Sequence, residues 1–183
     1  MAEAFFQATA WTMDTPKPYG AFHLVLTVLG VSLSIFLARK FSFPERKAGP
    51  DTILFLCGLF LGLTELYKQG FIYYIENGRT YDWWYFPFQL CSVPMYLGLF
   101  IPMVPARIRN VFYLFIQDFG LLGGIMALAE PSGLMHPYWT MTVHGFLWHF
   151  NLIFMGLICA FYNLKTETPK SYLHTIPLFL FCT

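Results

Sequence analysis

A thiol and two imidazoles are the residues here whose chemistry stands out: Cys91, His144 and His149. A cysteine acts as a nucleophile in its thiolate form, and a nearby histidine is the usual base that makes the thiolate. A carboxylate can hold that histidine in the useful tautomer. Asp118 and Glu65 both lie in apolar runs and could serve, and Gln89 and Asn151 add polar groups in similar surroundings. The stretch FPFQLCSVPMYL (Phe86–Leu97) sets Cys91 between Pro87 and Pro94. Pro94 cannot donate to the carbonyl of Leu90, nor Pro87 to that of Trp83, so a helix is predicted to loosen on both sides of the thiol. Such loosening at membrane depth is tolerated where backbone lines a cavity or is buried in protein. Each feature also has a plain structural reading. A buried cysteine can be a small hydrophobe, two prolines can be a simple kink, and Gln or Asn can tie helices together by hydrogen bonds.

The elements that must position these groups follow from composition. Of 183 residues, 57% are apolar and 11% are charged. A soluble domain carries about a quarter charged residues, so these charges are too few to coat a globule in water. The expectation is an all-α, polytopic transmembrane bundle in a single domain. Runs of about 20 apolar residues, the length that crosses a bilayer, fall at roughly 19–38, 52–75, 83–104, 110–129 and 138–162. A sixth run, 171–183, has about 13 residues or roughly 20 Å of helix, so five full spans and one short or truncated span are expected. Arg39, Lys40, Arg46, Lys47, Arg107, Arg109, Lys165 and Lys170 lie in alternate linkers, against Lys17, Lys68 and Arg79 on the other side. Positive charge favours the cytoplasm, which places the N-terminus outside. The aromatic stretches TYDWWYFPF (Thr80–Phe88) and HPYW (His136–Trp139) then sit at the outer interface, where Trp and Tyr anchor.

Several classes are excluded. A net charge of +1 offers no basic stripe for nucleic acid. No phosphate-binding loop or dinucleotide fingerprint occurs. Cys57, Cys91, Cys159 and Cys182 all fall in apolar runs, unlike the loops of a disulfide framework. No zinc-type pair suggests a metal, and no cofactor is expected.

Depth along the spans brings the polar groups to one layer. Cys91 lies about 12 Å from the outer edge, and His144 and His149 about 9 and 16 Å. Asp118, entering from the opposite side, lies near the same layer, with Gln89, Gln117 and Asn151; Glu65 lies nearer the outer surface. This predicts an outward-opening polar pocket. A spacing of five puts the two histidines on different helix faces, so one of them is expected to face Cys91. His149 aligns with Thr142, Gly145 and Gly156, the small stripe that marks an inward face; His144 aligns with Met141, Trp148 and Asn151. The same spacing disfavours a haem held by both histidines.

TPKPYGAFHLVLTVLG (Thr15–Gly30), Glu65, PFQLCS (Pro87–Ser92) and a fifth span with histidines occur in that order. The order resembles the bacterial YwaF-like integral membrane family and the related animal transmembrane protein 164 acyltransferases. The resemblance implies six or seven helices in a bacterial cytoplasmic membrane, with phospholipids as partners. In the animal branch it implies a catalytic cysteine that takes an acyl chain as a thioester and passes it to a lysophospholipid; transfer to water, a lipid hydrolase side activity, is left open. The cysteine maps to Cys91 and the histidine to His149, with His144 the alternative. Bacterial members often carry a histidine two residues before the cysteine, where this chain has Gln89, and the family continues beyond Thr183. Asp118 corresponds to no family position; its expected supporting role comes from depth. The competing function is a transporter or small-molecule-binding bundle, which broken helices and polar groups at mid-depth can also build.

Overall fold

The computed structural model describes residues 1–42, 50–163, 173 and 175–182. Arg46, Lys47, Lys165 and Lys170, four of the basic residues used for orientation, lie outside the described residues. Eight α-helices are described: α1 (Ala2–Thr9), α2 (Ala21–Phe41), α3 (Asp51–Phe71), α4 (Val93–Phe100), α5 (Ala106–Phe115), α6 (Leu121–Ala129), α7 (Trp139–Asn163) and α8 (Ile176–Cys182). Two π-turns extend them: Ile72–Glu76 continues α3, and Ile116–Gly120 joins α5 to α6. Among the described residues the one β-type pairing is an isolated bridge between Thr12 and Tyr138.

Among the described residues, three helices are long and apolar enough to cross a membrane: Ala21–Phe41, Ala106–Ala129 and Trp139–Tyr162. α3 has 21 residues, the same length as α2, but carries Asp51, Glu65 and Lys68. The apolar side chains of α2 explain its place at the periphery. Leu24, Val25, Val28, Leu29, Leu33 and Phe36 are all exposed, a continuous surface suited to lipid and costly in water.

The third expected span is corrected. Residues 83–104 are not one loosened helix. A 3₁₀ turn at Trp83–Tyr85 gives way to extended backbone at Phe86, with φ −60° and ψ 130°. Helical structure resumes only at the turn Leu90–Ser92, which leads into α4. The cause is local. The residue before a proline is pushed out of the α region, and that residue is Phe86. Pro94 stands in the first turn of α4, where its missing N–H costs nothing. The apolar helical stretch is therefore the shorter Leu90–Met103.

α7 is the hub, packing against α2, α3, α5 and α6. Its Leu152, Met155 and Cys159 are fully buried together with Leu54 and Leu61 of α3 and Phe115 of α5. α3 and α4 approach so closely that a Cβ on Gly58 would stand 2.7 Å from the backbone nitrogen of Leu99. One on Gly98 would stand 2.7 Å from the carbonyl oxygen of Leu54. Both positions need glycine because backbone meets backbone there. At this end Asp51 accepts a 2.5 Å hydrogen bond from Arg109 Nη1 and another from the Tyr113 hydroxyl. At the opposite end the N-terminal segment crosses the bundle. Phe6 stacks on Tyr74 at 5.5 Å, Tyr67 donates to Thr9 Oγ1 at 2.6 Å, and Met13 N donates to Pro137 O at 2.9 Å.

Candidate functional site

A cavity of about 610 Å³ opens at this second end, between α3, the segment around residues 84–92, α6, the turn Pro131–Leu134 and α7. Polar and ionisable residues in its lining include Lys68, Gln89, Cys91, Glu130, His136, His144 and His149. Four of the seven residues singled out in the sequence, Gln89, Cys91, His144 and His149, thus share one hollow.

Cys91 is held in the turn Leu90–Ser92, immediately before α4. Its place at the entry of a helix, rather than within one, follows from the two prolines described above. Helix N-termini carry partial positive charge from unpaired N–H groups, a favourable place for a sulfur that must become an anion. Its thiol donates to Gln89 Oε1 across 3.8 Å. Its carbonyl accepts from Trp148 Nε1 at 3.3 Å, which pins the turn to α7. The carbonyl of Gln89 accepts from Ser92 N at 2.8 Å and closes the turn itself.

His149 Nδ1 lies 2.7 Å from the carbonyl oxygen of Gly145, one helical turn back. A carbonyl only accepts, so Nδ1 carries the proton and Nε2 keeps its lone pair. That is the tautomer a general base needs, set by the helix's own backbone. His144 also lines the cavity, its ring 5.6 Å from that of Trp148. Its Nε2 is buried without a hydrogen-bond partner among the described residues. Both histidines line the cavity. Five residues on a helix separate two side chains by roughly 140°, and a hollow of this breadth wraps that far around α7.

The remaining residues are not in the cavity lining. Asp118 lies in the π-turn Ile116–Gly120, where it accepts from Gln117 Nε2 at 3.2 Å. Equal depth had suggested proximity, but depth fixes height and not azimuth. Asn151 Nδ2 donates to the carbonyl of Cys57 at 3.3 Å, a tie between α7 and α3. Glu65 is buried behind the wall, 2.8 Å from Lys68 Nζ, and accepts from Gln69 Nε2 at 2.7 Å. Cys57, Cys91 and Cys159 are free thiols, Cys159 wholly buried in the apolar core.

Sequence reading missed Lys68 and Trp148 as members of the site. Lys68 had been placed with the outer-loop charges, yet its ammonium stands 5.9 Å from the Trp148 ring centroid. An ionisable residue three positions from Glu65 in an apolar helix was the available signal. Among the described residues no group of three or more histidine, cysteine or acidic side chains could hold a metal ion.

Residues 18–182 match the model of the TMEM164 family. The chain belongs to the TMEM164 family. Together with its long apolar helices, membership makes it an integral membrane protein. No curated protein and no solved structure matches it. In this TMEM164-family chain the hollow holding Cys91 and His149 lies at the end of the bundle away from the Asp51–Arg109 pair.

Proposed function

We propose that the protein is a cysteine-dependent lipid acyltransferase that moves an acyl chain between phospholipids, with the N-terminus and the cavity mouth on the outer side of a bacterial cytoplasmic membrane. The observation that carries this reading is the sharing of one cavity by Cys91 and a His149 whose Nδ1 is already occupied by the Gly145 carbonyl. His149 Nε2 takes the Cys91 proton, and the thiolate attacks the ester carbonyl of a donor phospholipid. The ester C–O bond breaks. His149 returns its proton to the departing alkoxide, leaving an acyl-thioester on Cys91 and a lysophospholipid. An acceptor lysophospholipid hydroxyl then loses its proton to Nε2 and attacks the thioester carbonyl. The C–S bond breaks, and the sulfur recovers the proton. Water in place of the acceptor gives hydrolysis. His144 is the alternative base, and Gln89, which accepts from the resting thiol, positions the sulfur. Asp118 and Asn151, outside the cavity lining, have no step in this scheme, and Glu65 acts only behind Lys68.

The test is transfer in vesicles. Purified protein is given a donor phospholipid with an isotope-labelled acyl chain and an unlabelled lysophospholipid. The expected result is label in the newly formed diacyl lipid with the wild type and none with Cys91→Ala. Undiminished transfer by Cys91→Ala rejects the reading. Solute uptake by vesicles that survives Cys91→Ala and fails in Asp118→Asn would instead support a transporter.

A further inference from the structure

We infer that Lys68 is the phosphate anchor of the cavity: its ammonium, braced from behind by Glu65 and flanked by Trp148, binds the phosphate of the lipid that delivers or receives the acyl chain. The lipid nature of that ligand rests on the proposed function; the anion-binding role rests on Lys68 itself. Lys68 forms part of the cavity wall. Its side chain is 25% exposed, whereas the paired Glu65 side chain is 5% exposed. Of this pair, Lys68 lines the hollow and Glu65 does not. Glu65 Oε1 accepts from both Lys68 and Gln69, at 2.8 and 2.7 Å, so two donors hold that one oxygen. The Trp148 ring closes a second side of the ammonium at 5.9 Å, a cation–π contact that desolvation strengthens. An ammonium has three donors, and the Glu65 contact uses one. Lys68 lines a cavity whose other cationisable groups are imidazoles and whose lining also carries the Glu130 carboxylate, which accepts from Ser132 Oγ at 2.6 Å. A compact cation held in a hollow within an apolar helix bundle is the donor set that phosphate oxygens fit.

The same brace reaches the segment that carries the thiol. Gln69 Nε2 also donates to the carbonyl of Tyr85 at 2.5 Å, and the Tyr96 hydroxyl donates to that of Pro87 at 3.0 Å. Trp148, beside Lys68, holds the carbonyl of Cys91. Anchor and nucleophile therefore sit on one hydrogen-bonded frame, and phosphate on Lys68 fixes the register of the ester bond relative to the sulfur.

The experiment reads occupancy rather than acyl transfer, so it stands or fails separately from the enzymatic scheme. Protein in an uncharged detergent is treated with a soluble thiol-alkylating reagent, and protection of Cys91 is titrated by mass spectrometry. The protectants are a lysophospholipid, a monoacylglycerol of the same chain length, and inorganic phosphate. The expected result is protection by the lysophospholipid at about ten- to hundredfold lower concentration than by the monoacylglycerol, as suits a charge-assisted hydrogen bond. Lys68→Met collapses that preference while leaving protection by the monoacylglycerol in place, which shows the cavity intact. Lys68→Arg retains most of it and serves where Lys68→Met fails to fold. Protection by inorganic phosphate alone, lost in Lys68→Met, keeps the anion site and assigns it to free phosphate. Equal protection by the two lipids in the wild type, or a phosphate preference that persists in Lys68→Met, overturns the inference.

Discussion

At the end of the bundle where α3 begins, backbone meets backbone at Gly58 and Gly98, and Asp51 binds Arg109 and Tyr113 together. At the end where α3 finishes, the chain abandons regular helix. A π-turn follows Phe71, the backbone is extended at Phe86, and a cavity of about 610 Å³ is left open. Both ends contain cysteine. Cys159 is enclosed by apolar side chains, whereas Cys91 is half-buried at a cavity with imidazoles and an ammonium. A thiol's reactivity is decided by that setting rather than by residue type. One end is closed by packing and polar ties, and the other leaves the hollow on which the proposed chemistry rests.

The sharpest way to break the contrast is to exchange the thiols' fates. Cys91→Ala is expected to abolish acyl transfer, while Cys159→Ala and Cys57→Ala keep it once corrected for folded protein in the same vesicle assay. His149→Gln should lower the rate by about 10²–10⁴-fold, the usual contribution of a positioned base, with the lipid concentration for half-maximal rate little changed. His144→Gln should cost less, which single-turnover rates will show. Should the order reverse, the base is His144.

The closed end answers to stability instead. Gly58→Val drives a side chain into the backbone of α4 and should destabilise the protein by about 1–3 kcal/mol, the cost of overpacking. Thermal unfolding in detergent measures this. Activity per folded molecule should stay near wild type. The smallest effect is expected for Asp118→Asn, which lies outside the cavity lining and should leave transfer within about twofold of wild type. A large loss there would blur the division between the two ends.

Much of the frame was legible in the residues. Apolar runs located the helices because the bilayer leaves the backbone few alternatives to intrahelical hydrogen bonding. Equal depth groups Cys91 with the histidines, and equally with Asp118 and Asn151, which the cavity lining leaves out. Other features depended on azimuth and local turns, which hydropathy does not encode. Phe86, set extended by Pro87, turned an expected crossing into a strand-like entry to α4. His144 and His149 share a hollow because of its breadth, a tertiary property. Asp118 and Cys91 were matched in height although the lining that holds Cys91 does not include Asp118. Hydropathy counts Lys68 among the outer-side charges, whereas in the bundle Glu65 and Trp148 flank it.

The most direct measurement is the covalent state of the sulfur during turnover. Protein mixed with donor phospholipid and no acceptor, then quenched in acid and digested, should yield a Cys91 peptide heavier by one acyl group, released by neutral hydroxylamine, with the Cys57 and Cys159 peptides unmodified. Acyl transfer that proceeds while the Cys91 peptide stays unmodified, under quenching fast enough to trap a thioester, would contradict the account.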